Sequence, residues 1–236
     1  MNSDLKCIFE WLWTNRLSLN TDKTEFLIFR PPKSKNEKVT LSLKHTTIYE
    51  SNRIKYLGLI LDNKLNWKSH VTELSKKLSR SIGIICKIKP YCSVSVLKSL
   101  YYSLFSSHLS YGLSTWGLNI SQMLIQKLQV LQNRVVRIIG WDPQKNIVHC
   151  ADIKKSLGIL TVTDQIKMKL SSFMWDFDHN LLPNYLSNFF LRTSSLHNYN
   201  TRSASRGYLY LNKVKTTSYG LKSFKIQGAK LMNELI

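Results

Sequence analysis

The sequence predicts an α+β fold, in which a small antiparallel sheet and one helix are followed by a mainly helical bundle. Short apolar segments with strand-like spacing fall before Asp62, and helical spacing of apolar residues begins after it. Of the 236 residues, 43% are hydrophobic and 11% aromatic, which is typical of a folded chain with a substantial core. We therefore expect three regions: residues 1–64, a helical region over 65–145, and a C-terminal extension over 146–236.

The first region contains one predicted helix and several predicted strands. Apolar residues at helical spacing predict a helix from about Asp4 to Asn15, with Asp4 as its N-cap. A strand is expected over Glu25–Phe29, ended by Pro31 and Pro32. Val39–Leu43 alternates as a half-exposed strand does, whereas the nearly continuous apolar run Ile54–Leu61 indicates a more buried strand. These strands are expected to form a small sheet that packs on the first helix.

The second region is predicted to be helical because its apolar residues recur every three or four positions. One stripe comprises Trp67, Val71, Leu74, Leu78, Ile82, Ile85 and Ile88, and Pro90 closes that helix. The inward residues of a second predicted helix are Val94, Leu97, Leu100, Tyr101 and Leu104. A third predicted helix spans roughly Ser121 to Ile139 and is ended by Gly140 and Pro143. Its inward residues are Leu124, Leu128, Leu131, Val135 and Ile138. In the third region, residues 153–157 and 162–177 are expected to be helical, whereas residues 192–230 are expected to be a loosely packed extension or a mobile basic tail.

The charge balance points to a polyanionic partner. Lys and Arg number 34 against 14 Asp and Glu, for a formal net charge of +20. Such a basic field attracts nucleic acid most often, and an anionic membrane surface is the alternative. The basic residues are spread along the chain, which favours a folded basic surface over a tether. No apolar run reaches the roughly 18 residues that span a bilayer, the N-terminus does not have the pattern of a signal peptide, and the four cysteines suggest no disulfide framework. We expect a nuclear or cytoplasmic protein, neither secreted nor membrane-bound.

Two segments resemble motifs of a known family. Asn15–Phe29 and Lys55–Asp62 are similar to the last two motifs, D and E, of the reverse transcriptase palm in LINE-type (non-LTR) retrotransposons of the jockey-like kind. The resemblance implies that Lys23 lies near the phosphates of the incoming nucleotide and neutralises or protonates the leaving pyrophosphate. Without the resemblance, Lys23 is a solvated lysine in a loop beside a strand.

The second of these segments carries the resemblance to the primer grip, a hairpin that holds the terminal phosphates of the primer. Tyr56, Leu57 and Gly58 correspond to its centre, and Arg53 and Lys55 would flank the primer backbone. The alternative is a plain buried strand with a bulge at the glycine.

Further along, Lys127, Arg134 and Arg137 fall on one face of the third predicted helix, at spacings of 7 and 3 residues. Such a face follows a duplex backbone in the polymerase thumb, which the segments Leu100–Gly117 and Gln132–Arg134 also resemble. The alternative is an ordinary solvated face. Within the first of these segments, Tyr111 and Trp116 are interpreted as core residues rather than as stacking platforms for bases. The C-terminal segments His197–Arg202, Tyr219–Phe224 and Gly228–Asn233 resemble the end of such polyproteins, without an assigned chemistry.

The metal-binding pair of the palm is the part of the family pattern that this sequence does not show. There is no aromatic-Ala-Asp-Asp signature, and the aspartates lie in unrelated contexts (Asp22, Asp62, Asp142, Asp152, Asp164, Asp176 and Asp178). Asp176, Asp178 and His179 share a helix face poorly, so a metal there is disfavoured. Because two-metal nucleotidyl transfer requires clustered carboxylates, we expect a C-terminal reverse transcriptase fragment without turnover, whose parent enzyme uses Mg²⁺.

The partner expected from this resemblance is a primer–template duplex or an RNA/DNA hybrid. The alternatives are a non-enzymatic nucleic-acid-binding or interaction protein derived from such an element, and a decayed reading frame.

Overall fold

The fold is α+β, as the sequence predicts, and is seen in a computed structural model that describes residues 2–20, 23–30, 39–43, 46–140, 149–197, 199 and 201–235. The chain divides into two compact units, Met1–His70 and Val71–Ile236. Within the described residues, every helix is too short or too polar to cross a bilayer. The predicted breakers Pro31, Pro32 and Pro143 lie outside the described residues.

The first unit contains one long helix and two separate hairpins among its described residues. The helix α1 spans Asn2–Thr14, so Asp4 lies in its first turn and the predicted N-cap at Asp4 is wrong. Strands β1 (Leu41–Leu43) and β2 (Thr46–Ile48) pair antiparallel, as do β3 (Arg53–Tyr56) and β4 (Leu59–Asp62). Leu41 of β1 and Ile48 of β2 are buried against a cluster formed by Leu5, Phe9, Leu19, Phe26 and Val39. The expected packing of a small sheet on the first helix is therefore confirmed for the first hairpin.

The strand predicted over Glu25–Phe29 is absent. Phe26 makes only an isolated parallel bridge to Glu50, and the amide of Ser51 donates to the Phe26 carbonyl at 2.9 Å. A strand needs a partner along its whole length, and here the neighbouring chain runs alongside for a single residue. The side chain of Arg30 donates two hydrogen bonds to the carboxylate of Glu50, one of them at 3.0 Å, and thereby holds the segment in place without a ladder.

The second unit is helical. Its α-helices, of which the first begins at the end of the first unit, are α2 (Lys68–Ile88), α3 (Val94–Leu100), α4 (Ser107–Ser110), α5 (Leu113–Trp116), α6 (Gln122–Gly140), α7 (Cys150–Leu157), α8 (Val162–Asp178), α9 (Asn184–Ser187), α10 (Arg202–Ser205) and α11 (Phe224–Leu235). Pro90 lies in a 3-10 turn after α2, and a π-helical segment, Tyr101–Ser106, joins α3 to α4. In the stripe predicted for α2, all residues from Trp67 to Ile85 are buried and Ile88 is half-buried.

The aromatic segment before α6 behaves in two ways. Trp116 is fully buried, which confirms its predicted place in the core. Tyr111 is 55% exposed, so its predicted burial is wrong. The chain turns at this residue, and its carbonyl, rather than its ring, meets the core by accepting a hydrogen bond from the Trp116 indole at 2.9 Å.

One polar side chain lies at the centre of the second unit. Gln132 of α6 is fully buried, and its Nε2 donates to the Tyr101 hydroxyl at 3.0 Å and to the Leu160 carbonyl at 2.8 Å. Its Oε1 accepts from Gln129 at 2.7 Å. Burial raises the pKa of Tyr101, so this hydroxyl stays protonated. The interior amide is thus satisfied on both sides, as a buried polar group must be.

The C-terminal segment folds back onto α8. Helix α11 packs against α8, and Met174, Phe190, Leu209 and Ala229 form a buried cluster. The Asn233 side chain donates to the Leu209 carbonyl at 2.9 Å and accepts from the Leu209 amide at 2.7 Å. The C-terminal pattern that ends at Asn233 therefore has a structural role, which the sequence alone did not assign.

Candidate nucleic-acid interface

The β3–β4 hairpin contains most of the residues expected to contact a primer. The strands pair in the register Arg53–Asp62 through Tyr56–Leu59, which leaves a two-residue turn. Leu57 and Gly58 both have positive φ, at 45° and 82°, as the tightest hairpin turns require. The single buried strand predicted over Ile54–Leu61 is therefore wrong, because the chain reverses at its glycine and most of β3 is exposed.

The side chains of this hairpin are divided between its two faces. Arg53 and Lys55 are two residues apart on one strand, so both project from the same face. Both are exposed, and Tyr56 and Leu57 at the tip are 60% and 72% exposed. The hairpin therefore presents two cations on one face and an apolar tip beside them.

A buried carboxylate holds the base of the hairpin. Asp62 ends β4 and is only 8% exposed. Its Oδ1 accepts hydrogen bonds from the amides of Lys64 at 3.0 Å and Asn66 at 3.2 Å, and its Oδ2 accepts from the amide of Trp67 at 3.1 Å. The connection contains two non-glycine residues with positive φ, Leu65 at 48° and Trp67 at 61°. The side chain of Asp62 thus stabilises an unfavourable backbone path between the hairpin and α2.

Lys23 lies in an exposed turn of the same unit. Its amide donates to both the side-chain and the backbone oxygen of Asn20, at 3.2 Å each. The hydroxyl of Thr24 donates to the Asn20 carbonyl at 2.8 Å, which closes the turn. The preceding Asp22 lies outside the described residues. The assigned role of Lys23 next to a nucleotide stays a prediction.

The second unit carries the other predicted cations. Lys127, Arg134 and Arg137 are all exposed on α6, and their spacing places them on one face of it. Two apolar residues on the same face, Met123 and Val130, are 76% and 65% exposed. The face is therefore a mixture of cations and apolar side chains rather than a fully polar solvated face.

A groove runs between α2 and α6 and adds cations that the sequence analysis did not assign to a site. It has a volume of about 680 Å³, and the residues that line it are Thr72, Ser75, Lys76, Ser79 and Arg80 of α2 and Lys127, Val130 and Leu131 of α6. We call it the α2–α6 groove. The spacing of Lys76 and Arg80, off the apolar stripe of α2, is the one signal in the sequence. Their approach to α6 is a long-range contact that no local pattern contains.

One acid lies beside this groove. The carboxylate of Glu73 accepts a hydrogen bond from Nζ of Lys76 at 2.7 Å, in a pair whose side chains are 49% and 61% exposed. An exposed pair of this kind contributes little stability. Lys76 can therefore exchange this partner for another anion at small cost.

The metal-ligating side chains of the described residues do not form a cluster. Among them, no three His, Cys, Asp or Glu side chains lie close enough together to hold a metal. Asp62 is committed to backbone amides, and Asp178 pairs with Arg192 at 2.6 Å. His179 stacks on Trp175 with ring centroids 4.0 Å apart. Asp22 and Asp142 lie outside the described residues.

Comparisons with known proteins give distant relatives of one kind. No protein-family model and no solved structure matches the chain. It is 24% identical over 170 residues to a probable RNA-directed DNA polymerase from transposon X-element of Drosophila melanogaster, a match that covers 70% of this chain and 18% of that protein. It is 27% identical over 141 residues to the RNA-directed DNA polymerase from mobile element jockey of the same species, covering 57% and 15%. A probable RNA-directed DNA polymerase from transposon BS, also of Drosophila melanogaster, is 23% identical over 166 residues, covering 68% and 18%.

The chain thus matches less than a fifth of the length of each of these relatives. The similarity supports a relationship to the RNA-directed DNA polymerases of mobile elements.

Proposed function

We propose that the chain is part of an RNA-directed DNA polymerase of a non-LTR retrotransposon, within which it contacts the primer–template duplex. The observation that carries this proposal is the β3–β4 hairpin, where Arg53 and Lys55 share one exposed face beside the turn at Leu57 and Gly58. The distant similarity to polymerases of mobile elements supports the same reading.

The chemistry proposed for the hairpin is positioning. Cations on one face neutralise successive phosphates of the primer, and such contacts fix a strand without reading its sequence. The exposed cations Arg134 and Arg137 of α6 act in the same way on the duplex behind the primer end. Lys23 is proposed as an auxiliary cation near the leaving pyrophosphate, a role that rests on the family resemblance alone.

Binding to a primed duplex tests the proposal. The log of the association constant should fall linearly with the log of the salt concentration, because phosphate contacts release counterions. The double variant Arg53→Gln/Lys55→Gln should lower the steepness of this dependence by about 1.8, since each duplex contact contributes about 0.9. Fluorescence anisotropy of a labelled RNA/DNA hybrid, titrated between 50 and 200 mM salt, measures the slope for the unaltered chain and for the variant.

The matched control removes the same charge elsewhere. Lys167 and Lys169 are exposed on α8, and the variant Lys167→Gln/Lys169→Gln has the same net charge as the hairpin variant. Binding that does not change with salt would contradict the proposal. An equal loss in the hairpin variant and in the control would show that overall charge, rather than the hairpin, holds the duplex.

In this proposal another segment of the parent polymerase carries the clustered carboxylates that two-metal transfer requires, together with the Mg²⁺ that they bind. The purified chain should therefore incorporate no nucleotide on a primed template with Mg²⁺. Template-dependent extension, with contaminating polymerase excluded, would overturn the assignment of catalysis to another segment.

A further inference from the structure

We propose that the α2–α6 groove binds the sugar–phosphate backbone of a single nucleic-acid strand, with Lys76, Arg80 and Lys127 as its phosphate contacts. The inference deepens the proposed function and rests on it, because it assumes that the chain works on nucleic acid. It concerns the second compact unit, whereas the hairpin belongs to the first.

The charge of the groove selects an anion. Three of the eight lining residues are cationic, and none of the eight is acidic. Lys76, Arg80 and Lys127 are all exposed, so a ligand reaches them without rearrangement of the core. Charge-assisted hydrogen bonds from lysine and arginine to phosphate are among the strong ones in proteins.

The spacing of polar groups along α2 suits a chain of phosphates rather than one. Thr72, Lys76 and Arg80 follow one another at four-residue intervals on the wall of the groove. At 1.5 Å per residue, each step advances about 6 Å along the helix, which is comparable with the distance between neighbouring phosphates on an extended strand. The hydroxyl of Ser79 adds a hydrogen-bond donor of the kind that contacts phosphate oxygens.

The opposite wall is partly apolar. Val130 is 65% exposed between Lys127 and Arg134, and Leu131 beside it is half-buried. Carbon atoms of a sugar can cover these side chains, whereas a bare polyanion offers nothing to do so. The groove should therefore prefer an oligonucleotide to inorganic polyphosphate.

The Glu73–Lys76 pair makes the proposal specific to one position. A phosphate at Lys76 would lie close to the carboxylate of Glu73, which accepts from the same ammonium group at 2.7 Å, and the two anions would repel each other. Glu73→Gln should therefore strengthen binding beyond the gain expected from losing any one negative charge. Glu234→Gln, an exposed acid on α11, is the control for that general gain.

The main experiment compares two triple variants of the full chain. Lys76→Gln/Arg80→Gln/Lys127→Gln removes the three groove cations, and Lys155→Gln/Lys167→Gln/Lys169→Gln removes three exposed lysines from α7 and α8. The probe is a fluorescent single-stranded oligothymidylate, followed by anisotropy across a salt series. Circular dichroism checks that both variants are folded.

At about 0.7 per contact on single strands, the groove variant should lower the salt slope by about 2. The factor by which the variant binds more weakly than the unaltered chain should therefore be roughly 100-fold larger at 0.1 M salt than at 1 M salt. The control triple should show a much smaller change. Equal losses in the two triple variants, or equal gains in the two Glu→Gln variants, would overturn the groove.

Two further measurements separate the sources of binding. Val130→Gln should weaken binding of the oligonucleotide and leave binding of inorganic polyphosphate unchanged. An equal effect on the binding of both probes would refute the sugar contact. If the groove triple binds like its control while Arg53→Gln/Lys55→Gln still weakens duplex binding, the groove proposal fails and the proposed function stands. If the unaltered chain binds neither probe in a salt-dependent way, the proposed function fails as well.

Discussion

Replacing Asp62 by alanine should loosen the base of the β3–β4 hairpin by about 3 kcal/mol. The carboxylate accepts three amide hydrogen bonds and is 8% exposed. The amide of Trp67 belongs to a residue that is 3% exposed, so it loses a bond to a charged group with little access to water, at a cost of about 2 kcal/mol. Lys64 and Asn66 lie nearer to solvent and regain water, so about 0.5 kcal/mol each is reasonable for them.

Amide hydrogen exchange measures this effect directly. A loss of about 3 kcal/mol corresponds to an increase of roughly 100-fold in the local opening of the segment, since 1.4 kcal/mol is a factor of ten. The amide of Trp67 should exchange faster by that order. The control Asp62→Asn keeps one acceptor oxygen, so its exchange rate at the Trp67 amide should lie between those of the unaltered chain and Asp62→Ala. If the exchange of the Trp67 amide does not change in Asp62→Ala, the carboxylate does not stabilise the connection.

Two further predictions concern packing and pH. In Gly140→Ala the new Cβ would lie 2.2 Å from Cγ2 of Ile153, which should lower the free energy of unfolding by about 1–3 kcal/mol. In Gly83→Ala the new Cβ would have no atom within 4 Å, and the free energy of unfolding should rise by up to about 1 kcal/mol. Urea denaturation compares the two variants, and equal effects would refute the packing argument. The hydrogen bond from Arg30 holds the pKa of Glu50 below its ordinary value of 4.5. The stability from this pair is therefore present above that pH and is lost as the pH falls through the lowered pKa. An NMR titration of the Glu50 carboxyl should show this lowered pKa, and Arg30→Gln should restore the ordinary one.

The helical half of the fold could be predicted from the sequence because burial on a helix follows a local period. The stripe of α2 was recognised from spacings of three and four, and its residues are buried where that period places them. The same reasoning identified the exposed cations Lys127, Arg134 and Arg137, since residues seven and three apart share a helix face.

The β structure was harder to predict because a strand is defined by its partner. Glu25–Phe29 has the composition of a strand, but among the described residues it pairs with a neighbour only at Phe26. The run Ile54–Leu61 contains a hairpin turn in which Leu57 adopts the left-handed conformation. Asparagine or glycine usually occupies such a position. The apolar spacing across the turn contains no sign of it, and only the family resemblance implied a hairpin there.

The α2–α6 groove shows the same limit for a site. The helical period places Lys76 and Arg80 off the core stripe, yet their approach to Lys127 joins residues about fifty positions apart. A local pattern tells which side chains face solvent. It does not tell which of them face the same space.

The buried amide of Gln132 determines where the charges of α6 lie along its axis. Apolar contacts have no direction, whereas this amide needs its partners, the Tyr101 hydroxyl and the Leu160 carbonyl, at one position. A slip of α6 by one turn, about 5.4 Å, would leave the amide unsatisfied in the interior at a cost of about 1–3 kcal/mol. Lys127 would move by a similar distance relative to Lys76. A hydrogen bond deep in the core therefore helps to fix the spacing of the cations on the surface.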